Sequence, residues 1–143
     1  KTAQEPTAPG SKQGASLLAL AGALDAKRAN DEVVAVEGAR GFSTFYGYYM
    51  LEAMAKAGNY EGAMQVIRDF WGGMLDMGAT TFWEDFNIDW LDGAAPIDAI
   101  VPEGKKDIHG DFGDYCYVGF RHSLCHGWSS GVIRFIKEYE SFM

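Results

Sequence analysis

The chain has 143 residues, enough for one domain with a modest core. A composition of 48% hydrophobic and 22% charged residues is that of a globular protein and excludes a disordered one. The net charge of −8 argues against nucleic acid and anionic membrane as partners, and no apolar run approaches the length of a membrane span.

Aromatic residues make up 14% of the chain, more than a small core calls for. Trp and Tyr combine a flat apolar face with a polar atom, which suits a binding surface. The acidity fits a neutral ligand, or solubility alone. The opening stretch, KTAQEPTAPGSKQG, has no apolar signal core and no initiating Met, and reads as the start of a mature product or of an excised fragment. Cys116 and Cys125 are too few for a disulfide framework and are expected to be buried free thiols.

In chain order, residues 1–14 carry two prolines and no periodicity and read as extended. Leu17, Leu20, Ala21 and Leu24 recur at helical spacing. Asn30 is placed to cap a short second helix that Gly38 stops. Ser43 is placed to cap a third, with stripes Phe45–Tyr49–Ala53 and Tyr46–Met50–Met54, ended by Gly58. Asn59 is expected to cap a fourth, with Ala63, Val66, Ile67, Phe70 and Met74 on one face. Gly72 and Gly73 weaken its last turn, and Gly78 terminates it.

From Asp85 to about Asp114 there is no helical period, with Pro96, Pro102 and several glycines, yet many apolar residues that argue for order. A final helix carries Trp128, Val132, Phe135, Ile136 and Tyr139 along one side. TTFW and YCYVGF are short extended pieces at most. The reading is an all-α fragment, a single unit over residues 1–143, of paired antiparallel helices joined by alternately short and long loops. No repeat of fixed period is present.

Three constellations carry chemistry. Glu84, in GATTFWEDF, follows two apolar residues, Phe82 and Trp83, that would desolvate it and poise it as a general acid or base. Adjacent Asp85 diverges from it and is no catalytic mate. The plainer alternative is a carboxylate that caps a helix or pairs with an arginine. In HSLCHGWSSG, His122 and His126 stand four apart with Cys125 between. The run lacks the glutamate of H-E-x-x-H and Gly127 interrupts a helix, so zinc binding and a Cys125–His126 nucleophile both rank below a buried loop. Sugar recognition lies between, with His126 bonding a hydroxyl and Trp128 offering a ring face. His109, Asp111 and Asp114 in DIHGDFGDYCY fit a metal less well than a set of turns.

Taken together, GFSTFYGYYMLEAMAKAGNYEGAMQVIRDFWGGMLDMGATTFWEDF and GFRHSLCHGWSSG resemble the bacterial α-L-rhamnosidases of glycoside hydrolase family 78, over most of residues 11–143. GATTFWE and SLCHGWSSG in this order, separated by a long loop, are the specific elements. Val132 stands where the family often has proline, and Met77 where it often has arginine. The resemblance implies an inverting glycosidase on an (α/α)6 barrel, in which one carboxylic acid protonates the leaving oxygen and a second carboxylate, roughly 6.5–9.5 Å away, activates water. It implies Glu84 as that general base, with Trp83, His126 and Trp128 around a rhamnose-containing carbohydrate and no cofactor.

The family's general acid lies well upstream of GATTFWE, and none of the earlier carboxylates here (Asp25, Asp31, Glu32, Glu37, Glu52, Glu61, Asp69, Asp76) carries its motif. The expectation is therefore the C-terminal part of a catalytic domain, inactive alone, from an enzyme whose export is favoured. Alternatives are a non-catalytic carbohydrate-binding or helical interaction module, or another (α/α)6 sugar enzyme. Helices cut from a closed barrel would expose Tyr46–Met50–Met54 and Ile67–Trp71, faces that a homodimer would cover.

Overall fold

The computed structural model describes residues 10–112 and 122–142. The protein is mostly helical. Helix α1 (Lys12–Leu20) starts at Ser11, whose hydroxyl accepts from the Gly14 amide at 3.3 Å. Its inner face is Ala15, Ser16 and Ala19, and Leu17 points outward, 43% exposed. The apolar spacing at Leu17 therefore marks the wrong face. Small residues turn inward because α1 lies directly on α3 (Gly47–Lys56). Lys56 closes that contact by donating to the terminal carbonyls of Ala19 at 2.8 Å and Leu20 at 3.2 Å.

The second helix begins earlier than expected. Asp25, in an extended conformation, accepts from the Arg28 amide at 2.8 Å and caps α2 (Ala26–Ala29), which runs on into a π-helical turn, Asn30–Val34. Asn30 is thus an interior residue, and its side chain accepts from Asn59 at 3.1 Å instead of capping. Ser43 contributes only its carbonyl, which accepts from the Gly47 amide at 2.8 Å ahead of α3.

Asn59 caps α4 (Tyr60–Asp76) as its position predicts, accepting from the Gly62 amide at 3.0 Å. Ala63, Val66, Ile67, Phe70 and Met74 are all buried. Gly72 and Gly73 do not end α4, which continues to Asp76 before Gly78 turns the chain at φ 90°. Gly73 lets the loop come close, since a Cβ there would lie 3.0 Å from Leu91.

After α4 the chain makes a 3₁₀ turn, Ile88–Asp92, and two short parallel strands, β1 (Ala94–Ala95) and β2 (Lys106–Asp107), with Ala94 opposite Lys106. A second 3₁₀ turn, Gly127–Ser130, leads into α5 (Gly131–Tyr139), which packs on α3. One continuous core joins Met50, Leu51 and Met54 of α3, Phe70 and Met74 of α4, Trp83, Phe86 and Ile108 of the loops, and Phe135 of α5. The faces expected to lie open are largely covered within the chain: Met50, Met54, Ile67 and Trp71 are all buried, and of these residues only Tyr46 reaches the surface.

Candidate functional site

Residues 81–84 and 123–126 lie side by side in antiparallel sense. The Glu84 amide donates to the Ser123 carbonyl at 2.8 Å and the His126 amide to the Phe82 carbonyl at 2.6 Å. The Thr81 hydroxyl donates to the Leu124 carbonyl. TTFW is thus extended, and its partner is the second motif. YCYVGF, together with Asp114 and Cys116, lies outside the described residues.

This pairing alternates side chains across the segment. Trp83 turns inward, wholly buried, with Phe86 and His122 at ring separations of 6.0 Å and 6.4 Å. Glu84 takes the other direction and is 4% exposed. Its Oε2 accepts from the Ser123 amide at 2.7 Å, a charge-assisted bond, while Oε1 has no hydrogen-bond partner among the described residues. The Glu84 carbonyl accepts twice, from the Thr44 hydroxyl and from Trp128 Nε1 at 2.6 Å. The carboxylate therefore stands on backbone pinned from the turn before α3 and from the second motif. Neither Thr44 nor Ser123 was singled out by the sequence; Thr44 acts on a distant backbone carbonyl and Ser123 acts through its own backbone amide, and no spacing rule reports either.

Around Trp128 the rings continue outward. Its centroid is 4.3 Å from His126 and 5.7 Å from Phe45, and Phe45 is 5.1 Å from Tyr46. Trp128, Phe45 and Tyr46 are exposed by 42%, 40% and 36%, so they form a surface aromatic patch. The helical stripes expected from the sequence include Phe45 and Tyr46. They sit in the turn that precedes α3, where periodicity ceases to assign a face. The crowding of FSTFYGYY around a glycine was the available signal. Of the four residues put forward for the site, Glu84, Trp128 and His126 are brought together, and Trp83 lies behind them without exposed surface.

A cavity of about 730 Å³ lies between α4 and α5, with Ile67, Trp71, Phe82, His126 and Val132 in its walls; Glu84, Trp83 and Trp128 are not among its lining residues. His122 and His126 do not share a helix face, because the chain from 122 to 126 is not helical. Cys125 is free and exposed, contrary to the buried thiol expected. The 107–111 segment is a knot of turns: the Asp107 carboxylate accepts from the His109 amide at 2.8 Å and the Gly110 amide at 3.0 Å, and Asp111 accepts from the Asp107 amide at 2.7 Å. Among the described residues no group of three or more His, Cys, Asp or Glu is placed to hold a metal ion.

No protein-family model, curated protein or solved structure matches the chain.

Proposed function

We propose that this chain is the C-terminal part of an inverting α-L-rhamnosidase catalytic domain with an (α/α)6 barrel of helical hairpins, and that Glu84 is its general base. The observation that carries the reading is the joining of its two motifs at one carboxylate: Ser123 holds Oε2, Trp128 holds the carbonyl, and Oε1 is left to take a proton from water. Fixing one oxygen by a backbone amide orients the other toward the water it activates. Trp128, His126, Phe45 and Tyr46 supply ring faces and polar edges of the kind that pack on a pyranose. Trp83 stiffens the support from behind. The acid that protonates the leaving oxygen belongs to another part of the barrel, and no candidate for it is proposed among the residues of this chain.

The test uses an aryl α-L-rhamnoside and an enzyme in which this segment is completed by an acid-bearing one. Glu84→Gln keeps the shape and removes the base, and is expected to cut turnover by about 10²–10⁴-fold with sugar binding retained. Near-normal turnover would place the base elsewhere. A second reading, a carbohydrate-binding module without catalysis, is favoured by one observation, the exposure of the aromatic patch. It predicts that Trp128→Ala abolishes rhamnose binding while Glu84→Gln changes nothing measurable.

A further inference from the structure

Behind Glu84 and Ser123 lie two side chains whose polar atoms are buried and, among the described residues, without a hydrogen-bond partner: Trp83 Nε1 and His122 Nε2. Both residues have no exposed surface, and their rings stand 6.4 Å apart at 62°. They are the immediate chain neighbours of the carboxylate and the amide that meet at 2.7 Å. Trp90 and His109 close the surroundings, with ring centroids 5.7 Å and 5.8 Å from that of His122.

The chemistry of the two atoms narrows what they hold. His122 Nδ1 lies 3.1 Å from the Phe112 carbonyl, which only accepts, so Nδ1 carries the hydrogen. In that tautomer Nε2 is an acceptor. Indole Nε1–H is a donor only. A cation would be opposed by the indole hydrogen and an anion by the imidazole lone pair. A group that accepts from one and donates to the other satisfies both, and at a position closed to solvent that group is water.

We propose that Trp83 Nε1 and His122 Nε2 jointly bind one internal water molecule, which links the two paired segments behind the Glu84–Ser123 contact and fixes their register. The site is independent of whether the chain acts on a glycoside. It makes His122 a positioning residue: its ring, through the water, ties residue 83 to residue 122, while residues 84 and 123 bond on the outer side.

The experiment is nuclear magnetic resonance on the uniformly ¹⁵N-labelled chain. The Trp83 indole signal, assigned by its loss in Trp83→Phe, should show a direct cross-peak to water with the sign of a long-lived bound molecule. Long-range ¹H–¹⁵N correlations should find hydrogen on His122 Nδ1 and none on Nε2. Absence of the water cross-peak, or hydrogen on Nε2, overturns the proposal. His122→Phe, which removes the acceptor, should abolish the cross-peak. Its persistence would also overturn the proposal. Should that variant fail to fold, the two measurements on the unaltered chain decide.

Discussion

The helix caps within residues 11–77 and the site formed by residues 81–84 with residues 123–128 rest on hydrogen bonds of different reach. In the first region the side-chain caps reach three residues along the chain: Ser11 to Gly14, Asp25 to Arg28 and Asn59 to Gly62. In the second, the bonds that shape the site join residues 39, 43 and 44 apart: Ser123 to Glu84, Thr81 to Leu124 and Trp128 to Glu84. A helix needs only its neighbours, and a site assembled from loops needs partners that the chain returns to later. The two regions nonetheless share one core, since Phe70 of α4 meets Phe86 at 5.2 Å and Phe86 meets Trp83 at 6.0 Å.

That shared core yields the largest expected effect. Phe70→Ala and Trp83→Ala each remove a wholly buried aromatic ring and should each cost about 3–5 kcal/mol. Urea unfolding followed by far-ultraviolet circular dichroism and by tryptophan fluorescence measures both. If the loop region is integral, the two variants shift both signals together. Should Trp83→Ala lower the fluorescence transition and leave the helical one in place, the regions unfold as separate units and the single core is refuted.

A smaller contrast comes from glycine. A Cβ at Gly131 would lie 2.7 Å from Tyr48 Cβ, where α5 leaves the loop region and lands on α3. Gly131→Ala should therefore cost about 1–3 kcal/mol by forcing the helices apart. Gly72, within α4, meets nothing within 4 Å, so Gly72→Ala should stabilise by about 0.5–1 kcal/mol through helix propensity alone. Thermal unfolding of the pair gives opposite signs. Equal signs would mean that α5 does not dock where its glycine permits.

The same division decided what could be read in advance. The buried face of α4, its Asn59 cap and its Gly78 stop follow from periodicity and turn chemistry, and all three are present. Reading failed where a residue type had two uses. Asn30 and Ser43 are good caps by type, but Asp25 and a backbone turn act ahead of them. Leu17 is apolar, but the close approach of α1 to α3 selects alanines. Glu84, His126 and Trp128 are singled out by their flanking residues and by the resemblance of their two motifs, and their spacing alone does not foretell that Trp128 bonds the Glu84 carbonyl. Thr44 and the Phe45–Tyr46 surface escaped because their partners, Glu84 and Trp128, lie forty residues or more further along the chain.

The smallest effect separates the two regions by pH. In α1, Lys12 donates to the Gly38 carbonyl at 2.6 Å and lies over the Phe42 ring. Burial lowers its pKa from 10.5 to about 8, against an opposing pull from Glu37. The folded protein thus releases this proton near pH 8, whereas the unfolded chain holds it to 10.5, so between those values the unfolded state binds more protons and stability rises with pH. Tyr139, at the end of α5, donates to Glu52 of α3 at 3.1 Å, and burial, followed by the Glu52 charge, raises its pKa from 10.0 to about 12. Here the folded state keeps the proton longer, so stability falls as pH climbs above 10.0. Both groups reach solvent in part, which keeps the changes small. Denaturation midpoints between pH 7 and 11 should accordingly rise and then fall. Lys12→Met should remove the rise and leave the fall, and Tyr139→Phe should do the reverse. A rise that survives in Lys12→Met would assign it to another group and sever the tie between α1 and the Gly38 turn from the stability of the first region.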